Sequence, residues 1–227
     1  MRPQPELIVL ADPATAVGDL LAEQAARGGS IVLTGGSAPG PAYERAAERL
    51  KDWSAATLWW GDDRAVPPED ERSNYRLAKE RLLDRIEVQP REIHRIEGEL
   101  PPEDAAAKLD AALAGVELDV LLLGMGPDGH IASLFPGSPQ LRVQDRRAVA
   151  GPPGLEPFVD RITMTLPTLQ AAKRIVFLIT GGDKAEMVNR AFNGDITHDV
   201  PASLMRLAPV SVEVFLDEAA GGKIGSA

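Results

Sequence analysis

The sequence predicts an α/β fold, a Rossmann-like open sheet, mostly parallel, with helices on both faces. Three observations carry this reading. Short apolar runs alternate with helical segments along most of the 227 residues. The run Val120–Leu123 is apolar without alternation, as a strand buried on both faces of a parallel sheet must be. Glycine-rich or polar loops follow four of the apolar runs, at the strand ends where open α/β sheets bind ligands.

The elements follow in order. Residues 7–10 open as a strand, and Asp12-Pro13 supplies the N-cap and first residue of an Ala-rich helix that Gly28-Gly29 ends. Residues 31–34 are a second strand, followed by the loop Gly35-Gly36-Ser37-Ala38-Pro39-Gly40 and a helix to about Lys51. Residues 57–60 are a third strand, with Gly61-Asp62-Asp63-Arg64 as the loop beyond it. Residues 69–86 read as helix, 93–96 as a short extended piece, and 102–114 as a helix leading into Val120–Leu123. The Gly/Pro-rich segment 137–160 reads as loop with one weak strand near 147–150. Residues 161–165 and 174–179 are later strands, and the second runs through Gly181-Gly182-Asp183-Lys184 into a helix to about Phe192. Residues 210–216 are the last strand and 218–227 a loose tail. With no repeat and no low-complexity linker, residues 1–227 read as one domain.

Only 4% of the residues are aromatic, so the core must be built mainly from Leu, Val, Ile and Ala. The formal net charge of −10 argues against nucleic-acid or anionic-membrane partners, while a local convergence of cations still permits an anionic small-molecule substrate. The absence of cysteine excludes disulfides, thiolate nucleophiles and Cys-based zinc sites. Residues 1–5 lack a signal-peptide run and no stretch has membrane-spanning length, so a cytoplasmic protein is expected, as a monomer or weak homo-oligomer.

Four loops carry candidate chemistry. In Gly124-Met125-Gly126-Pro127-Asp128-Gly129-His130, the imidazole suits general-base work at neutral pH and Asp128 suits fixing its tautomer. In the Gly35-Gly36-Ser37 loop, freed N–H groups, a hydroxyl and a following helix suit a phosphate, though an ordinary strand-to-helix turn has the same composition. Arg64 offers a planar fork of donors to a phosphate or an oxyanion, with one of the two preceding carboxylates to orient it, and a solvated turn reads the same way. Lys184 in the first turn of a helix opposes the macrodipole, a local cost that fits an anion site. Ser73 and Asn74 are weaker candidates for the same cleft. His94 and His198 stand in unrelated segments, so no metal site is expected, and His94 reads as structural.

Together these loops resemble the 6-phosphogluconolactonases, which share a fold superfamily with the glucosamine-6-phosphate deaminases and ribose-5-phosphate isomerases. The resemblance runs through Gly35-Gly36-Ser37-x-Pro39, Asp62-Asp63-Arg64-x-Val66-Pro67, Ser73-Asn74, Gly124-x-Gly126-x-Asp128-Gly129-His130-x-Ala132-Ser133-Leu134-Phe135-Pro136-Gly137, Arg161-Ile162-Thr163-x-Thr165, Gly181-Gly182-x-Lys184 and Pro201-Ala202-Ser203. It implies a sheet of the sugar-phosphate isomerase/deaminase type and hydrolysis of 6-phospho-D-glucono-1,5-lactone without metal or cofactor. It implies His130 as the base, Asp128 as its support, and Arg64, held by Asp62, at the developing oxyanion. Gly35, Gly36, Ser37, Gly126 and Lys184, with Arg64, would bind the phosphorylated substrate. Ala38 stands where the family often has Thr, and Asp63 where it often has Glu. The deaminases carry a glutamate at the position of Phe135, which cannot ionise. A deaminase or isomerase, and a non-catalytic sugar-phosphate sensor, are the alternatives. The sensor usually needs a partner domain, and this chain begins directly with its first strand.

Overall fold

The computed structural model describes residues 4–224. Residues 1–3, where the segment without a signal run begins, and residues 225–227, the end of the expected tail, lie outside it. The main sheet is built from β1 (Glu6–Val9), β2 (Gly29–Leu33), β3 (Ala56–Trp60), β5 (Glu92–His94), β6 (Val120–Leu123), β9 (Ile175–Ile179) and β10 (Val212–Leu216). A smaller sheet contains β4 (Asp62–Arg64), β7 (Ala148–Gly151) and β8 (Arg161–Met164). The helices are α1 (Pro13–Arg27), α2 (Pro39–Arg49), α3 (Asn74–Arg81), α4 (Pro102–Ala112), α5 (Leu166–Gln170), α6 (Ala185–Phe192) and α7 (Pro201–Leu204).

The seven main strands are all parallel, in the order β1-β10-β9-β6-β2-β3-β5. Every residue of β3, β6 and β9 is buried, so both faces of the central sheet are covered. Ile31, Leu121 and Val176 are fully buried on three neighbouring strands, and the core is aliphatic apart from a few aromatics such as Trp53, Trp60 and Phe177. Helix α1 starts where Asp12 accepts from the Thr15 N–H at 3.0 Å and Pro13 sets the first turn. It ends at Gly28, whose φ of 89° reverses the chain into β2. No helix among the described residues is long and apolar enough to cross a membrane.

The structure corrects three expectations. Asp62–Arg64 is the strand β4 rather than a loop, pairing antiparallel with β8 so that Asp62 faces Thr163 and Arg64 faces Arg161. The expected strands at 147–150 and 161–165 are present as β7 and β8, which complete this small antiparallel sheet. The helix expected over 69–86 is only α3 followed by a 3-10 turn at Leu83–Arg85, because the Asp63 carboxylate takes the N–H groups of Asn74 and Tyr75 and fixes the start there. The expected tail is wound into turns as far as residue 224, with Asp217 accepting from the Ala220 N–H at 2.7 Å and Ala220 fully buried.

Candidate active site

Strand order fixes where the site can be. From β2 the chain moves outward through β3 and β5, then returns to the other side of β2 as β6 and continues outward through β9 and β10. Loops leaving the carboxyl ends of β2 and β6 therefore diverge and open a crevice. A cleft of about 200 Å³ lies there, lined among others by Gly35, Gly36, Ser37, Asp62, Arg64, Gly126, His130 and Lys184. Asp128 does not line the cleft and stands behind His130.

The loop after β6 is folded around the imidazole. His130 Nδ1 lies 2.6 Å from Asp128 Oδ1, which also accepts from the His130 backbone N–H at 3.1 Å. Burial pushes the Asp128 carboxyl up, but the hydrogen bond, charge and N–H of His130 outweigh it and hold the group below its ordinary value. An ionised carboxylate only accepts, so Nδ1 is the donor and Nε2 keeps the free lone pair. The loop closes through Gly126 N–H to His130 C=O at 3.0 Å and Gly129 N–H to Gly126 C=O at 3.0 Å. Gly126 is glycine for want of space, since a Cβ there would stand 2.0 Å from His130 Nδ1 and 2.7 Å from Asp128 Oδ1. Phe135 covers the ring from one side, with centroids 4.7 Å apart.

The polar end of β4 behaves differently from its expected role. Asp62 is buried, accepting from Ser133 Oγ at 2.6 Å and Asn74 Nδ2 at 3.2 Å, and no hydrogen bond to Arg64 is present among the described residues. The short Asp62 side chain is taken up beside its own strand, whereas the longer Arg64 reaches across and donates to the Arg72 carbonyl. Asp63 receives the N–H groups of Arg64, Asn74 and Tyr75 and the Ser73 hydroxyl. Its burial still pushes the carboxyl up to about 6.

Two cations and a glycine loop also line the cleft. Tyr43 hydroxyl donates to the Thr34 carbonyl at 2.6 Å and accepts the Thr34 N–H at 2.9 Å, fixing the end of β2 from which Gly35 and Gly36 depart. Gly36 has φ of 95°, which turns the backbone toward α2. Lys184 is the residue before α6 and not within its first turn, because a 3-10 turn, Gly182–Lys184, intervenes. Neither Arg64 nor Lys184 forms an ion pair among the described residues, leaving both charges for an anion.

Sequence reasoning left out three features of this site. Ser133 lay inside a motif but had no assigned partner, and its contact with Asp62 spans 71 positions of sequence. Asn74 was only a weak candidate, although a Ser-Asn pair just before a helical period is a capping signal. Ala132, with φ of 46°, is the positive-φ residue outside glycine among the described residues, a backbone state that sequence alone does not announce.

Comparison with known proteins places this geometry in a family. Residues 10–214 match the family model of glucosamine-6-phosphate isomerases/6-phosphogluconolactonase. A probable 6-phosphogluconolactonase from Arabidopsis thaliana is 33% identical over 86% of this chain and 81% of its own. The structure of a 6-phosphogluconolactonase from Trypanosoma brucei superposes with a TM-score of 0.84 at 27% identity, covering 98% of this chain and 99% of that one. A monomeric glucosamine-6-phosphate deaminase, at TM-score 0.82 and 21% identity over 96% of this chain and 99% of its own, shares the fold. With most of its length matched by the family model and by relatives of this identity, the chain belongs to the glucosamine-6-phosphate isomerase/6-phosphogluconolactonase family.

Proposed function

We propose that this protein hydrolyses 6-phospho-D-glucono-1,5-lactone to 6-phospho-D-gluconate, in the oxidative pentose phosphate pathway. The lactonase names of its relatives support the activity. The observation that carries the chemistry is the Asp128–His130 pair at 2.6 Å on the edge of a cleft that also holds Arg64 and Lys184. A sugar δ-lactone is a reactive ester, so a positioned water and one base suffice. His130 Nε2 takes a proton from water as the water oxygen attacks C1, and Asp128 stabilises the imidazolium. The proton then passes to the ring oxygen as the C1–O bond breaks, leaving an acid and a hydroxyl. Arg64 stabilises the oxyanion formed at C1, while Gly35, Gly36, Ser37, Gly126 and Lys184 hold the phosphorylated substrate.

The deaminase reading requires a glutamate where this chain has Phe135, which packs on His130 and cannot ionise. The test is the rate of lactone opening above the spontaneous background, with glucosamine 6-phosphate as the comparison substrate. Lactone hydrolysis without ammonia release supports the reading. Ammonia release from glucosamine 6-phosphate, or saturable sugar-phosphate binding without turnover, refutes it.

A further inference from the structure

The cleft mixes donors and acceptors, and the role first expected for one of its carboxylates is not the one its bonds describe. Its lining includes the donors Ser37, Arg64 and Lys184. Asp62 lines the cleft, is only 6% exposed, and has no ion pair among the described residues. A carboxylate has about four acceptor positions. Two of them are filled, one by Ser133 Oγ on Oδ2 and one by Asn74 Nδ2 on Oδ1. Beside it, Asn74 Oδ1 is buried with no partner among the described residues, facing Gly35 so closely that a Cβ there would lie 1.8 Å away.

The surroundings hold this carboxyl group in place by hydrogen bonds, with no ion pair among the described residues. Ala132 adopts the left-handed conformation, at some cost for a residue with a Cβ. The turn it makes brings Ser133 onto Asp62, and the Ser133 N–H also reaches Thr163 Oγ1 at 3.3 Å on the strand paired with β4. A buried carboxylate with spare acceptor capacity is costly unless a donor completes it. Arg64 turns away to the Arg72 carbonyl. The Arg161 guanidinium forms no ion pair with Asp62 among the described residues, and its Nη2 donates to the carbonyls of Leu155 and Pro157.

We propose that Asp62, held by Ser133 and Asn74, accepts a hydrogen bond from a ring hydroxyl of the sugar lactone and so selects its configuration. The inference rests on the lactonase reading and adds a specificity-determining residue to it. Hydroxyl groups are the donors such a substrate brings, and a site built to bond one discriminates against its epimer because the acceptor is then left unpaired.

The experiment measures kcat/KM, corrected for spontaneous opening, on 6-phosphogluconolactone and on its C2, C3 and C4 epimers, the manno, allo and galacto lactones. The wild type, Asp62→Asn and Ser133→Ala are compared, with a thermal melt of each. The expected wild type prefers the gluco lactone to at least one epimer by about 10–100-fold. Asp62→Asn is expected to lower the gluco rate by that factor while leaving the disfavoured epimer within about threefold, so that preference collapses at one carbon only. Ser133→Ala is expected to move the same preference in the same direction by less, and it decides the matter if Asp62→Asn does not fold. An equal loss on all four lactones, no change on any, or a wild type blind to configuration overturns the assignment of Asp62. A wild type inactive on every lactone overturns the lactonase reading itself.

Discussion

Replacing Gly126 by alanine puts a single methyl group against the imidazole of His130, the proposed base. Gly126 is not among the positive-φ glycines, so its backbone accepts alanine without strain, and the whole effect is steric. The new Cβ would stand 2.0 Å from His130 Nδ1 and 2.1 Å from Cε1, where ordinary van der Waals contact begins at 3.4 Å. The ring must therefore withdraw by at least about 1.4 Å, which breaks its 2.6 Å bond to Asp128. A displacement of about 1 Å in a catalytic group costs on the order of 10²-fold in rate. We expect kcat to fall by about that factor, and any rise in KM for the phosphorylated lactone reports the contact of Gly126 itself with the substrate. Overpacking of this kind costs about 1–3 kcal/mol, small enough for a cooperative melt to persist. The assay is acid release from the lactone at constant pH, with the spontaneous rate subtracted. A folded Gly126→Ala protein with kcat within threefold of wild type would refute the idea that this gap holds the base.

Three further outcomes follow from the same geometry. His130→Ala is expected to lower kcat by about 10²–10⁴-fold in the same assay, with a near wild-type rate removing it as the base. Lys184→Ala should raise KM for the phosphorylated lactone with kcat largely kept, and an unchanged KM would place the phosphate elsewhere. Asp63, raised from 3.8 to about 6 in the folded chain, binds a proton between those values that the unfolded chain lacks. Its contribution to stability is full below about pH 4 and is lost as pH rises to about 6, a change on the order of 3 kcal/mol. Urea melts of the wild type and Asp63→Asn across pH 4–6 check this, and parallel pH profiles for the two would contradict it.

The parts of the fold that were legible are those with strong local signals. β3, β6 and β9 are continuous apolar runs, and the glycines after β2 and β6 mark the places where the backbone must turn at the sheet edge. The small antiparallel sheet was not legible because β4 is Asp-Asp-Arg, with no apolar alternation, and its partner β8 lies about a hundred residues on. The start of α3 was only half legible, since Ser73 caps it locally while Asp63 on another element takes the N–H groups of Asn74 and Tyr75. Within the site, residue types were readable and pairings were not. Asp128 and His130 are two positions apart and meet, whereas Asp62 and Arg64 are two positions apart and take different partners.

The strands that feed the cleft are consecutive in the sheet: β9 leads to Lys184, β6 to His130, β2 to Ser37, and β3 to Asp62 and Arg64. Parallel neighbours lie about 4.8 Å apart, so the four loop origins stand on a ladder about 14 Å long. That spacing is set by main-chain hydrogen bonds, which side-chain substitution does not alter. The distances between the loop origins are therefore a property of the sheet, and exchanging a residue at one rung leaves the other three origins where they stand.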